Sequence, residues 1–175
     1  MKPKRVNHFF AIRPAASIQA DLLQVQRQCE TAGQQRKIAP TDLHCTLLFL
    51  GPLELSHQEP LCELAQQIKV KGFSLSFDCL NFWRAPKIAC LTTEVVPMEL
   101  FALVEHLYRG CDALGYQLQR REYRPHITLM RRMNPFPSRY LERPLTWFVE
   151  TFYLFRSPGA GETGYQVLDY WKLDQ

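Results

Sequence analysis

A four-residue pattern occurs twice in this chain, as His44-Cys45-Thr46-Leu47 and as His126-Ile127-Thr128-Leu129. Chance, from the chain's own composition, supplies roughly 0.03 copies of His-x-Thr-Leu, so a pair is not a random event. Apolar residues occupy the alternate positions, which predicts a two-faced strand around each copy. On such a strand His44 and Thr46 project together, about 6.5–7 Å apart, while Leu43, Cys45 and Leu47 face the other way. His126 and Thr128 share a face in the same phase, with Ile127 and Leu129 opposite. The fold must therefore bury one side of two strands while each presents an imidazole and a hydroxyl on the other. Set side by side, the strands would surround one small pocket with four polar groups.

The rest of the chain supplies elements that can do this. Val6–Ile12 reads as a strand, and a helix follows from about Ala15 to Thr31, with Ile18, Leu22, Val25 and Cys29 on its stripe and Gly33 in the C-terminal cap position. Leu43–Leu50 is an apolar strand, expected to stop at Gly51-Pro52. Ser56-x-x-Glu59 forms a capping-box pattern before a second helix carrying Leu61, Leu64, Ala65 and Ile68. Phe73–Cys79 alternates cleanly, and Lys87–Val95 is its expected hairpin partner. A third helix spans about Pro97 to Leu114, with Leu100, Val104, Leu107, Cys111 and Leu114 on its inner face. Strands are expected near Tyr116–Gln119, His126–Arg131, Thr146–Arg156 and Tyr165–Leu173, with loops at Met133–Arg143 and Ser157–Gly164. About eight strands and three helices with this spacing imply an α+β fold of antiparallel sheets carrying helices on one face. With 175 residues and no visible linker, residues 1–175 read as a single domain.

Charge is modest overall, at +4, but uneven. Between Arg120 and Arg143 seven arginines stand against Glu122 and Glu142, a net +5. Such a segment is often only a solvated face. It is equally an anion site, because guanidinium groups match phosphate geometry. Six cysteines form no CxxC pair, and no HExxH or Cys/His cluster has metal-ligand spacing, so buried free thiols and no metal are expected. No apolar run approaches the roughly 20 residues of a membrane span, and the run His8–Ile12 is too short for a signal-peptide core. A cytoplasmic protein without membrane attachment, acting as a monomer, is the expectation.

Two imidazoles can act as general base and general acid near neutral pH, since their ordinary pKa is about 6.5. Two hydroxyls can donate hydrogen bonds to the non-bridging oxygens of a phosphodiester, and an arginine can stabilise the charge that builds on phosphorus. A lone histidine on a strand is more often structural. Two copies in identical phase, each after a helix and loop and one beside an arginine cluster, outweigh that prior.

These residues resemble the 2H phosphoesterases, named for two His-x-Thr/Ser motifs, and in particular the bacterial LigT type, the RNA 2′,3′-cyclic phosphodiesterases also called 2′-5′ RNA ligases. The resemblance spans His8-Phe9-Phe10-Ala11-Ile12, Asp42-Leu43-His44-Cys45-Thr46-Leu47-Leu48-Phe49-Leu50-Gly51, Arg124-Pro125-His126-Ile127-Thr128-Leu129 with Arg131 just after, and the closing Phe152–Leu173 strands. It implies a bilobal, pseudo-twofold arrangement of two antiparallel sheets with helices on their outer faces and the active-site cleft between the lobes. It implies hydrolysis of an RNA 2′,3′-cyclic phosphate to a 2′-phosphomonoester without a cofactor, with 2′-5′ ligation as the same chemistry reversed. By the family's usual assignment His44 is the proton donor and His126 the acceptor. Pro52 and Glu162 depart from the family pattern, which bears on RNA affinity and substrate size.

Around the motifs, Thr46, Thr128, Arg131, Arg124, Tyr123 and Phe9 are the candidate substrate-binding residues, and Trp83 is a further aromatic that could stack a base. Strict alternation turns Arg131 away from His126 and Thr128 unless the strand ends or bulges near Met130. His57 and His106 are expected to be structural or solvated. The rival functions are an RNA- or nucleotide-binding module using the same pocket, and a phosphodiesterase for a small cyclic nucleotide or a 2′-5′ linkage.

Overall fold

The structure is a computed structural model and describes residues 5–30, 34–159 and 161–175. Among the described residues, nine strands and three α-helices form: β1 Val6–Ile12, α1 Gln19–Gln28, β2 Arg36–Lys37, β3 Cys45–Leu53, α2 Gln58–Gln66, β4 Phe73–Trp83, β5 Ile88–Thr92, α3 Met98–Ala113, β6 His126–Arg131, β7 Arg139–Val149, β8 Thr151–Arg156 and β9 Gln166–Lys172. The strands run in the order β7-β4-β5-β6-β3-β1-β8-β9, all antiparallel, with β2 added beside β6.

The two expected sheets are thus halves of one surface, β7-β4-β5-β6 and β3-β1-β8-β9. They meet edge to edge at a single residue pair, Cys45 with Ile127. Those are the second positions of the two His-x-Thr-Leu motifs, so the seam runs through the middle of both. Alternation then decides the faces. Phe10, Ile12, Cys45, Leu47, Leu75, Phe77, Ile127 and Leu129 point to one side, where Leu22 of α1, Leu61 of α2, and Leu100, Leu103 and Leu107 of α3 complete a single apolar core. The opposite side carries the polar members of both motifs and a small aromatic cluster of Phe9, Ala11 and Phe155, flanked by Tyr153 and Tyr165.

Several elements differ from the sequence expectation. β3 does not stop at Gly51-Pro52 but runs on to Leu53. Gly51 sits at φ +77°, and the register against β1 shifts between His8 and Phe9, so a bulge carries the strand past the proline. His44 lies just ahead of β3 rather than within it. The Ser56-x-x-Glu59 pattern forms no capping box; a 3-10 turn at Leu55–His57 leads into α2, which has His57 at its N-cap and no side-chain cap bond. β4 continues to Trp83, its alternation reset by a register shift between Phe77 and Cys79. No strand forms at 116–119. The stretch 146–156 is two strands, and β7 takes in part of the expected 133–143 loop. In α3, Leu103 is buried, whereas Leu114 is exposed. The expected helix end at Thr31 and cap at Gly33 lie outside the described residues. All six cysteines are free thiols, with Cys29, Cys45, Cys90 and Cys111 buried.

Candidate active site

Each motif places its histidine in the same clamp. The Nδ1–H of His44 donates to the carbonyl oxygen of Asp42 at 2.6 Å, and that of His126 donates to the carbonyl oxygen of Arg124 at 2.9 Å. A carbonyl can only accept, so the proton on Nδ1 is fixed in both rings. Nε2 is then the atom that can exchange a proton, and the backbone two residues upstream sets its direction. Thr46 and Thr128 follow on the same face, both half-buried. The seam register places His44 nearest Thr128 and Thr46 nearest His126, and the latter two line one cavity.

Aromatic rings hold the imidazoles from behind. His44 meets Phe9 at 5.0 Å, Tyr165 edge-on at 5.1 Å and Phe155 at 6.2 Å between ring centroids. His126 packs on Trp83 at 4.5 Å. Burial among these groups lowers the pKa of both histidines below the ordinary imidazole value. The hydrogen bond to Asp42 opposes this in His44, the hydrogen bond to Arg124 opposes it in His126, and the Arg131 charge lowers both. A charge on His126 also disfavours one on His44, so the two titrate as interacting neighbours, while the Asp42 carboxylate favours the protonated His44. Asp42 does a second job: its Oδ1 accepts the backbone N–H of Tyr165 at 3.0 Å and so fixes the ring that edges His44. Gly164, at φ +75°, lies against that carboxylate, and a Cβ there would stand 3.1 Å from Oδ1.

Arg131 joins this face through a bulge. Along β5, Cys90 pairs with Thr128, Ala89 with Met130 and Ile88 with Arg131, which leaves Leu129 as the extra residue. Cys90 and Ile88 share a face of β5, so Thr128 and Arg131 share one too. Leu129 and Met130 both turn into the core, at 0% and 1% exposure. Buried Gln26 of α1 donates to the carbonyl oxygens of Leu129 at 2.8 Å and Ile38 at 2.9 Å, which secures the distorted segment.

The other candidate residues are placed differently. Phe9 is only 4% exposed and stacks on Phe155, so its ring supports His44 and offers no face to a base. Tyr123 gives its hydroxyl to the Thr46 carbonyl at 3.2 Å, a contact that braces β3 beside the motif. Arg124 pairs with Glu122 at 2.6 Å; both side chains are largely exposed, so the pair contributes about 0–1 kcal/mol and yields readily to a phosphate. His57 hydrogen-bonds the Tyr116 hydroxyl, and His106 is exposed. Among the described residues no group of three or more His, Cys, Asp or Glu side chains is arranged to hold a metal ion. Tyr165, Phe155 and Gln26 carry no local signal of their roles, because strand register and loop packing bring them to the site from far along the chain; Asp42 stands beside the first motif, but its contact with Tyr165 is not local.

Fold and paired motifs together define a 2H phosphoesterase. No protein-family model matches the chain. It is 30% identical to the RNA 2′,3′-cyclic phosphodiesterase of Escherichia coli, over 99% of both chains, and 26% identical to that of Bacillus subtilis, over 87% of this chain and 88% of the other. Crystal structures of E. coli LigT superpose with a TM-score of 0.85 in the apo form, covering 98% of this chain and 99% of that one. The LigT complex with 3′-AMP superposes with a TM-score of 0.87, covering 98% and 100%; both are 28% identical. The chain belongs to the LigT-type RNA 2′,3′-cyclic phosphodiesterase family.

Proposed function

We propose that this protein opens RNA 2′,3′-cyclic phosphate ends to 2′-phosphomonoesters by acid–base catalysis between His126 and His44. The observation that carries the reading is the matched pair of Nδ1 clamps, which leaves one exchangeable Nε2 on each side of the seam. His126 Nε2 takes a proton from water as the water oxygen bonds to phosphorus. The P–O3′ bond breaks, and His44 Nε2–H gives its proton to the departing 3′-oxygen. The product carries the phosphate on the 2′-oxygen, and proton exchange with solvent restores both rings. This division of roles follows the family's usual assignment of the proton donor to the first motif; the Asp42 carboxylate favours a protonated His44, against the larger effect of burial. Thr46 and Thr128 donate to the non-bridging oxygens, and Arg131 offsets the charge that grows on them. An RNA 5′-hydroxyl in the place of water would form a 2′-5′ linkage at the same centre.

No step in this scheme calls for a metal ion. The free thiols suit a reducing compartment, which supports a cytoplasmic location, and one main apolar core shared by both halves of the sheet supports a single domain. The decisive assay incubates the protein with an oligonucleotide ending in a 2′,3′-cyclic phosphate, in EDTA, and identifies the phosphate position of the product. A 2′-phosphate formed at full rate in EDTA is expected. A 3′-phosphate, or no turnover, refutes the reading.

A further inference from the structure

A groove of about 560 Å³ opens from His126 and Thr46 and runs between α3 and residues 119–124. A cyclic phosphate alone does not fill it; the volume lies within the roughly 300–1,000 Å³ of sites that hold whole small molecules. Its walls carry two solvent-exposed phenylalanines, Phe49 at 57% and Phe101 at 42% exposure, with Trp83 at the His126 end and Tyr108 on α3. A single exposed phenylalanine is ordinary on a protein surface. Two in one groove that begins at a proposed catalytic imidazole are a different matter, because they stand among Arg120, Arg121 and Arg124. Aromatic faces interleaved with cations are the combination by which proteins hold single-stranded nucleic acid without reading its sequence.

We infer that this groove holds the nucleotides on the 5′ side of the cyclic phosphate of a single-stranded RNA. The inference rests on the hydrolase reading above and extends it from the terminal phosphate to the chain. A terminal 2′,3′-cyclic phosphate continues in one direction only, through the 5′-oxygen of its ribose, so one exit path suffices. The His44 side is walled by the rings of Phe9, Phe155 and Tyr165. The His126 side is the open one. Stacking leads charge in this groove: Arg120 is paired with Glu105 and Arg124 with Glu122, so the three arginines present a net +1. Salt dependence is accordingly shallow, and binding tolerates any base sequence.

The test compares a five-nucleotide RNA ending in a 2′,3′-cyclic phosphate with a cyclic mononucleotide, on the parent and on Phe49→Ala, Phe101→Ala and Phe101→Trp. Phe49→Ala and Phe101→Ala should each raise KM for the oligonucleotide by roughly fivefold to a hundredfold, leaving kcat and KM for the mononucleotide at parent values. Phe101→Trp, which keeps a stacking face, should stay close to the parent on both. Tyr170→Ala removes an equally exposed aromatic on β9, 59% exposed, and should change neither. An unchanged oligonucleotide KM in both alanine variants, or an equal loss on both substrates, overturns the inference. If the parent turns over neither substrate, the hydrolase reading fails separately. Fluorescence anisotropy with the same oligonucleotide then decides the groove: weaker binding in the two alanine variants supports it, and parent-like binding overturns it.

Discussion

Gln26 on α1 donates its side-chain amide to the Leu129 carbonyl at 2.8 Å, directly at the bulge that brings Arg131 onto the face of His126 and Thr128. Its other amide proton goes to the Ile38 carbonyl at 2.9 Å, and the side chain is only 4% exposed. A helix with no member in the cleft thereby shapes the strand segment that carries Arg131. Gln26→Leu keeps the volume and removes both donors. Leaving a buried carbonyl unpaired costs about 1–3 kcal/mol, and since Leu129 still accepts the Ile38 N–H, the fall in stability should sit toward the lower figure. KM for a cyclic phosphate should rise as well. A double-mutant cycle separates the effects: in an Arg131→Ala background Gln26→Leu should lower Tm as before but add no further loss in KM. Additive losses in KM would show that Gln26 affects substrate binding by a route other than Arg131.

Either histidine alone should be indispensable. Replacing His44 or His126 by Ala removes one proton-transfer group, and each should lower kcat by roughly 10²–10⁴-fold. Thr46→Ala and Thr128→Ala each remove one donor to phosphate and should cost less. Wild-type turnover in both histidine variants would end the acid–base assignment. Circular dichroism on the same samples checks that the loss is chemical, since both rings lie at the sheet surface rather than in the core.

The pH profile carries a signed expectation. Burial favours the neutral form of His44 and His126, so in the free protein both titrate below the ordinary value of about 6.5. One ring must be neutral and the other protonated, which makes the profile of kcat/KM bell-shaped with its maximum on the acid side of that value. A bound phosphate anion favours imidazolium, so the kcat profile should lie at higher pH than the kcat/KM profile. Coincident profiles, or a kcat/KM maximum above pH 7.5, would contradict the geometry. Stability follows the same sign. A histidine with a depressed pKa in the folded state contributes stability that is present above its ordinary value and is lost as pH falls through the folded value. His8, buried and without a hydrogen-bond partner for Nε2 among the described residues, adds to this. Tm should therefore fall as the pH is taken from 7 toward 5.

Where hydrophobic alternation ran unbroken, the sequence was a sufficient guide. β1 and β6 fall on Val6–Ile12 and His126–Arg131, and α3 covers nearly the span between Pro97 and Leu114, because each is anchored along its length by buried apolar side chains. Thr146–Arg156 looks like one strand for the same reason, yet its halves lie far apart in the sheet, β7 beside β4 and β8 beside β1. Nothing in a local window records which partner a strand will choose. The start of β7 was invisible because Arg139–Pro144 stays almost wholly exposed and shows no alternation. The site divides along the same line. The histidines and threonines stood out through the repeat, whereas Tyr165 and Phe155 reach His44 only through the pairing of β1 with β8 and the contact with Asp42. The bulge that Arg131 requires was conceivable from the pattern, but its position at Leu129 is set by Gln26 and Ile38, more than ninety residues away.

The arginines should separate by substrate length. Arg131 shares a face with Thr128 and acts electrostatically on both histidines, and the proposed mechanism sets it beside the reacting phosphate. Arg131→Ala should weaken a cyclic mononucleotide and an oligonucleotide alike. Arg124 lines the groove beyond His126, bound to Glu122 by an exposed pair that a backbone phosphate can replace. Its alanine variant should leave the mononucleotide nearly unaffected, weaken the oligonucleotide mainly at low salt, and reduce the slope of log Kd against log salt by about 0.7, the value for one contact to a single strand. Arg132 is a different case. It follows the end of β6 at φ +58°, exposed, and is absent from the groove lining. Arg132→Ala should therefore change neither substrate, and Arg132→Gly should, if anything, stabilise the protein, because glycine adopts that backbone conformation without strain. Equal effects of all three alanine variants on both substrates would mean that the arginine segment acts as a diffuse positive field, without separate phosphate and chain contacts.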